Sequence, residues 1–301
     1  MTFHARPALA ASDVILPEGL LQKVSDHTLG IAKHRDTLNQ YGQHLKRGIL
    51  LYGKPGTGKT HTVRYLLSQS EGATAILLSG GSLARISEAA TMARALQPSI
   101  VVLEDCDLIA EDRSFGHGPQ PLLFEVLDAM DGLDNDADVA FVLTTNRVDM
   151  LERALAQRPG RVDLAVDIPL PAQAERIGLV NLYARGIPFS AHAVQDAAAR
   201  TEGTTASFAR ELVRRAVVAA ALDGVPVADS HLAKAVGDLM ADGEALTRSL
   251  LGSGGDDGDG FDGPFPGGPD FGGPYPGGPV SSGPFPGVPG SGGPATFHAG
   301  N

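Results

Sequence analysis

The sequence predicts an α/β domain built on a parallel sheet, then a small all-helical domain, then a low-complexity tail. Three observations carry that prediction. Five short apolar runs alternate with helically spaced segments up to residue 168. After Pro169 and Pro171 the strand signal stops and helical spacing alone continues. The last 50 of the 301 residues hold 18 glycines and 10 prolines, a composition that cannot build a packed core and reads as disordered.

In chain order, the runs at 48–52 (GILLY), 73–79 (ATAILLS), 100–103 (IVVL), 139–144 (VAFVLT) and 164–168 (LAVDI) are continuous rather than alternating. Continuity is the mark of strands covered on both faces, as in a parallel sheet flanked by helices. The segments 59–69, 83–96, 120–130 and 149–157 carry the helical spacing between them. Beyond residue 170 the segments 172–185, 191–200, 205–221 and 229–240 read as four helices, with Ser190, Thr205 and Asp229 placed like N-caps. The expected divisions are an extension over 1–20, the α/β domain over 21–170, the helical domain over 171–245 and the tail over 246–301. Within the tail, Gly-Pro-Phe-Pro-Gly-Gly-Pro at 263–269 recurs at 273–279 and 283–289 with small changes, placing Phe265, Tyr275 and Phe285 ten residues apart. That period is not the triplet of collagen. It reads as a solvated tether or as a segment with repeated contact points for a partner.

Charge and cysteine content narrow the classes. The net charge is −11, of which five tail aspartates supply −5, leaving −6 on the body. Such a chain has no global attraction for nucleic acid or anionic membranes. Lys46-Arg47 is too short to make a basic patch. No apolar run approaches 18 residues, and Arg6, Pro7, Asp13 and Glu18 interrupt any signal-peptide layout, so a soluble cytoplasmic protein is expected. The single cysteine, Cys106, excludes an internal disulfide framework and reads as a small buried filler. The nine histidines form no metal-spaced cluster.

The strongest chemical signal is the octapeptide Gly53-Lys54-Pro55-Gly56-Thr57-Gly58-Lys59-Thr60, which follows a strand and opens a helix. Its glycines let the backbone curl so that N–H groups converge on phosphate oxygens, and the helix adds its positive end. Lys59 can reach the β- and γ-phosphates of a nucleotide, and the Thr60 hydroxyl can ligate Mg²⁺. The chance of such a match in a chain of this length is roughly 1%. The strand at 100–103 ends in Glu104-Asp105, where one carboxylate can face Mg²⁺ and the other can polarise a water. The next strand ends in Thr144-Thr145-Asn146, whose amide can position that water against the γ-phosphate. Arg158-Pro159-Gly160-Arg161 sets two guanidiniums at a helix end. Exposed arginines are ordinarily surface charge, but these two could also stabilise transition-state charge at a neighbouring subunit's nucleotide.

Taken in this order and followed by a helical domain, these motifs resemble the AAA ATPases over about residues 15 to 243. Met130-Asp131-Gly132-Leu133 resembles the family's Met-Asp-Gly-Leu turn. Asn146 to Leu151 resembles its Asn-Arg-Pro-Asp-x-Leu, and Arg158 to Asp163 its Arg-Pro-Gly-Arg-Phe-Asp with Val162 replacing Phe. Gly203-Thr204-Thr205-Ala206-Ser207 stands where the family has Gly-Phe-Ser-Gly-Ala.

The resemblance implies a P-loop NTPase fold: a five-stranded parallel sheet with a four-helix lid, ATP and Mg²⁺ in the cleft, and a ring, usually a hexamer. It also implies ATP hydrolysis that remodels a protein or protein complex. By position, Gly53, Pro55, Gly56, Thr57, Gly58, Lys59 and Thr60 bind nucleotide, and Thr60 and Glu104 hold the metal. Glu104, Asp105, Asn146, Arg158 and Arg161 form the catalytic set. His61, next on the helix, reads as packing or surface rather than catalytic and joins the cofactor-binding stretch by position alone. The adenine is expected between the stretch around Asp26–His27 and the lid helix, where Leu179 and Tyr183 match contact positions.

Three departures temper the motor reading. The family's acid pair is Asp-Glu, and the order here is Glu104-Asp105. Asp105 is one methylene shorter than the usual glutamate, so hydrolysis is expected to be slow unless the backbone compensates. The segment Ser79-Gly80-Gly81-Ser82-Leu83-Ala84-Arg85-Ile86 lacks the aromatic of a threading pore loop, although Arg113, in the following polar loop, is a candidate substrate contact. About 20 residues precede the body, which leaves two expectations: the chain is one part of a longer ancestor, or recruitment of an unknown protein partner falls to its tail or to other chains. The rival expectation is a slowly hydrolysing, nucleotide-gated assembly protein that acts through its tail.

Overall fold

The structure is a computed structural model, and it describes residues 2–3, 5–106, 128–130, 137–147 and 162–241. The helix expected at 149–157, most of that at 120–130, the Asp131-Gly132-Leu133 turn, Arg113, Arg158, Arg161 and the tail lie outside the described residues.

Five strands are described: β1 (Arg47–Tyr52), β2 (Thr74–Ser79), β3 (Ser99–Glu104), β4 (Val139–Thr145) and β5 (Leu164–Asp167). They pair in the order β2-β3-β4-β1-β5, every pairing parallel. The apolar runs are continuous because both faces of the sheet are covered. Leu50, Val101, Leu103, Phe141 and Leu143 enter one core cluster with Ile86, Ala90 and Ala93. Their strand neighbours Ile49, Leu51, Ile100, Val102 and Val142 enter another with Val63, Leu66 and Leu67. Successive side chains point to opposite faces, and both faces are dry in the central strands β1, β3 and β4. The edge strands β2 and β5 depart from the expected double burial, with Leu77 of β2 49% exposed because no further strand or helix among the described residues covers it.

The helices on the two faces follow from the same pattern. Before β1 come α1 (Leu20–Ser25), a π-helical turn (Asp26–Gly30), α2 (Ile31–Lys33) and α3 (Arg35–Gln40). Helix α4 (Lys59–Gln69) has the bounds expected from its spacing and buries Val63, Leu66 and Leu67 on the sheet. The helix expected over 83–96 begins instead as a 3₁₀ turn (Gly80–Arg85), with Ser79 N–H donating to Ser82 Oγ at 2.8 Å, and continues as α5 (Ile86–Ala95). Two glycines and a serine at its start disfavour α-helix and favour a tight capped turn.

One buried ion pair closes the end of the sheet opposite the strand C-termini. Arg47, the first residue of β1, donates to Asp138 Oδ1 at 2.8 Å, to Thr28 O at 2.9 Å and to Leu45 O at 2.7 Å. The two side chains are 3% and 2% exposed. Burial pulls the Arg47 guanidinium below its ordinary value, and its hydrogen bond to the Asp138 carboxylate opposes that shift. Arg47 is therefore an internal clamp and not part of any surface patch. Removing one partner of such a pair strands a buried charge, so Asp138→Ala is expected to lose about 3–5 kcal/mol of folding stability. A urea unfolding midpoint unchanged in that variant would show that the clamp is dispensable.

Beyond the sheet lie α6 (Gln173–Tyr183), α7 (Ala191–Arg200), α8 (Ala206–Asp223) and α9 (Asp229–Met240), around a separate core that includes Leu179, Phe208, Leu212, Leu232 and Val236. Ser190 and Thr205 cap α7 and α8, accepting from Ala193 N at 3.1 Å and from Phe208 N at 3.2 Å. Asp229 is not the cap of α9. That place falls to Ala228, whose N–H donates to His231 Nδ1 at 3.0 Å, while Asp229 Oδ1 accepts from Ser190 N at 2.8 Å. The carboxylate is drawn to the start of α7 and thereby ties two helices together.

Candidate functional site

In a parallel sheet every strand ends on the same side, and that side collects the loops able to hold a ligand. Strand β4 is hydrogen-bonded between β3 and β1, with Leu143 beside Leu103 and Thr145 beside Tyr52. Three of the expected motifs are therefore brought together: Glu104-Asp105 at the end of β3, Asn146 after β4, and the glycine-rich loop after β1. Asn146 stands between the acid pair and the loop because β4 stands between the other two strands.

The loop takes its shape from three glycines. Gly53, Gly56 and Gly58 have φ of +143°, +78° and +114°, which side-chain-bearing residues rarely adopt. At Gly53 a Cβ would lie 2.3 Å from the carbonyl oxygen of Ile168, just beyond β5, so no larger residue fits. Thr57 Oγ1 donates to Lys54 O at 2.9 Å and closes the loop on itself. Lys59, 6% exposed, folds back across the loop and donates from Nζ to Gly53 O at 2.8 Å and Lys54 O at 2.9 Å. Helix α4 starts at Lys59 with Gly58 as its N-cap and no side-chain cap. Its first-turn N–H groups and positive end are thus offered to an anion rather than to a side chain. Thr60 lies exposed in that first turn. A cradle of glycine backbone, one ammonium and one hydroxyl suits a polyphosphate with its divalent cation.

At the acid pair, Glu104 and Asp105 are both half-buried. Asp105 has φ of +54° and is the one non-glycine residue with positive φ among those described. Its backbone is pinned there: Asp105 N–H donates to Thr144 Oγ1 at 3.0 Å, and Cys106 N–H to Thr144 O at 2.9 Å. Aspartate and asparagine tolerate this left-handed conformation better than glutamate does. The residue type at this position thus agrees with the backbone there, a local reason for aspartate in place of the longer acid. Cys106 is buried, as expected of a filler. Thr144 and Thr145 are fully buried, and Arg147 N–H donates to Thr145 Oγ1 at 3.0 Å, which turns the chain at Asn146.

His61 makes a packing contact, as expected of it: its Nε2–H donates to the carbonyl of Asp13 at 2.8 Å. The stretch around Asp26–His27 lands differently. Asp26 and His27 lie at the far end of the sheet from the loop. His27 Nε2 is 4.0 Å from Asp163 Oδ2, which accepts from the N–H of Gly48 at the start of β1. Burial pulls the His27 imidazole below its ordinary value, with Asp163 opposing. The adenine placement beside Asp26–His27 is therefore corrected. The stretch that borders both α4 and α6 is Asp13 to Ile15, and a Cβ on Gly178 of α6 would meet Ile15 Cγ2 at 3.2 Å.

Leu179 is 3% exposed within the lid core, and Tyr183 packs half-buried against it. Burial pushes the Tyr183 phenol up, while the positive charge of Arg210 on α8 pulls it down. The lid touches the loop directly, for Ser207 N–H in the first turn of α8 donates to Gly56 O at 3.1 Å. Sequence reasoning placed Ser207 in a motif but gave it no contact with the loop, and backbone hydrogen bonds leave no residue-type signal. Arg158 and Arg161 lie outside the described residues. Among the described residues no group of three or more His, Cys, Asp and Glu is arranged to hold a metal by itself.

Residues 49–170 match the family model described as the ATPase family associated with various cellular activities (AAA). Among curated proteins, the chain is 31% identical over 247 residues to the ATP-dependent zinc metalloprotease FtsH 3 of Sorangium cellulosum, covering 77% of this chain and 41% of that protein. It is 32% identical over 199 residues to the proteasome-activating nucleotidase of Methanosphaerula palustris, covering 61% and 48%. To the 26S proteasome regulatory subunit 10B homolog A of Arabidopsis thaliana it is 37% identical over 155 residues, covering 47% and 38%. The chain thus spans less than half the length of each of these relatives. No two of its nine histidines are spaced as in His-Glu-x-x-His, so the likeness to the metalloprotease does not extend to that zinc motif. No helix among the described residues is long and apolar enough to cross a membrane.

Proposed function

The chain carries a module of the AAA ATPase family, and from that premise we propose that it binds Mg·ATP, hydrolyses it within a ring, and uses the cycle to remodel a protein or protein complex in the cytoplasm. The observation that carries this reading is the convergence of the glycine loop, Glu104-Asp105 and Asn146 at the ends of three adjacent parallel strands. Lys59 and the loop N–H groups, with Pro55 and Thr57 shaping the turn, hold the phosphates. Thr60 and Glu104 hold Mg²⁺, which when bound neutralises charge on the phosphate oxygens. Asp105 polarises a water that Asn146 positions in line with the γ-phosphate. Transfer of the phosphoryl group to that water then needs compensation of charge on the equatorial oxygens. Arg158 and Arg161 supply it to the adjacent protomer. The base lies toward the lid, near Tyr183 and the Asp13 to Ile15 stretch, with His61 holding that stretch rather than touching the nucleotide.

The role assigned to the arginines has its own test. Arg158→Ala is expected to lower ATP turnover per protomer by roughly 10³-fold at protein concentrations where rings form, and to leave ATP affinity nearly unchanged. Equal turnover in variant and wild type under those conditions would show that this arginine is not used across an interface.

A second reading is favoured by two observations. The turn over 80–85 carries no aromatic, and the catalytic acid is the shorter one. Under this reading the chain hydrolyses ATP slowly, and the nucleotide sets its assembly state while Phe265, Tyr275 and Phe285 of the tail engage a partner. Negligible turnover together with ATP-dependent assembly would select it.

A further inference from the structure

The segment 6–15, ahead of α1, carries no motif, yet it makes contacts at both ends of the P-loop helix α4. At the C-terminal end of α4, Arg6 donates to Leu67 O at 3.0 Å, to Ser70 Oγ at 2.8 Å and to Ala73 O at 2.5 Å, and also to the carbonyl of Ser70. A guanidinium there satisfies terminal carbonyls and complements the helix dipole. At the same end, Leu9 O accepts from Ser68 Oγ at 3.0 Å and from Gln69 Nε2 at 3.1 Å. At the N-terminal turn of α4, Asp13 O accepts from His61 Nε2 at 2.8 Å. The segment then crosses to the lid. Asp13 Oδ1 pairs with Arg185 Nη1 at 2.6 Å, just past the end of α6, and Ile15 packs on Gly178 within α6.

We infer that residues 6–15 form a strap that holds the lid to the P-loop helix, with Asp13 and Arg185 as positioning residues for nucleotide affinity. The proposal rests on the ATP-binding reading above and deepens it. The route is made of contacts already described. The strap fixes α4, which begins with Lys59 and Thr60. Through Arg185 it also fixes α6, which shares its core with α8, and α8 presents Ser207 to Gly56. Loosening the Asp13–Arg185 junction frees α6 from α4 and lets the lid drift from the loop, without removing any group that touches phosphate. Asp13 also accepts from Ala10 N at 3.0 Å, which shapes the strap itself, so Arg185 is the cleaner residue to change.

The experiment is a series at Arg185 in the full chain, read as the Kd for Mg·ATPγS and the kcat for Mg·ATP. Arg185→Lys keeps the charge and is expected to bind within two-fold of wild type. Arg185→Ala is expected to raise Kd about three-fold and Arg185→Glu about ten-fold, the scale of an exposed ion pair lost and then reversed. The kcat at saturation stays within about two-fold of wild type in all three, since no reacting group has changed. The spread in Kd is expected to collapse at about 1 M salt, where the Debye length falls to about 3 Å. A merely structural role would not show that salt dependence. Equal Kd across the series at low salt, a spread that survives high salt, or losses in kcat that track those in Kd would each overturn the strap. A folded wild-type chain that binds no Mg·ATPγS would overturn the nucleotide reading itself, and the strap with it.

Discussion

Replacing Lys59 with alanine is expected to weaken Mg·ATP binding by about 30-fold to several thousand-fold. The residue is almost fully buried and held at the loop by two carbonyls, Gly53 O and Lys54 O, so its ammonium is already localised within the loop that is proposed to hold the phosphates. Little side-chain entropy is left to lose when the nucleotide arrives. Truncating one side of a desolvated charged contact costs about 2–5 kcal/mol, or on the order of 30-fold to several thousand-fold in Kd. The variant also leaves two loop carbonyls without their donor, so its thermal unfolding must be recorded beside the titration. A folded Lys59→Ala chain that binds Mg·ATP as tightly as wild type would remove the octapeptide from the site. Isothermal titration with Mg·ATPγS makes the measurement.

The second large effect is expected at Asp105. Asp105→Asn should keep Mg·ATP affinity within a few-fold and lower turnover by about 10²–10⁴-fold, the usual contribution of a general base. The structure makes this substitution unusually clean. Asparagine is isosteric and tolerates positive φ as aspartate does, so the +54° backbone and its bond to Thr144 Oγ1 can persist while the charge is lost. Asp105→Glu would not be a simple gain of reach, because a glutamate in the left-handed region is strained by about 1–2 kcal/mol. Turnover in Asp105→Asn equal to wild type would remove Asp105 from the mechanism and return attention to Glu104.

Much of this arrangement is legible in the sequence for reasons that can be stated residue by residue. The sheet is legible because two dry faces make runs such as Ile100 to Leu103 continuous, and the bounds of α4, α7 and α9 follow helical spacing closely. The convergence of Glu104, Asp105 and Asn146 on the glycine loop follows from parallel strands and their order. What is not legible depends on contacts without a local pattern. The short helices over 20–40 are interrupted by a π-helical turn and weakly periodic. The family resemblance points to Asp26–His27 for the base side, but those residues lie at the far end of the sheet, beside Asp163 and the start of β1. The strap is bound through carbonyls of Leu9 and Asp13 to side chains about 50 to 60 positions away, a link that no residue-type pattern advertises. Asp229 reads as a cap from residue type alone, yet it is claimed by the Ser190 N–H.

If the module hydrolyses ATP with the help of a neighbouring copy, turnover must depend on assembly. Phosphate release per protomer, followed across protein concentrations that span assembly by light scattering, tests it most directly. Turnover per protomer is expected to rise as the chain assembles and to be lost in Asp105→Asn at every concentration. Turnover that stays flat while assembly proceeds, or that survives in Asp105→Asn, would contradict it.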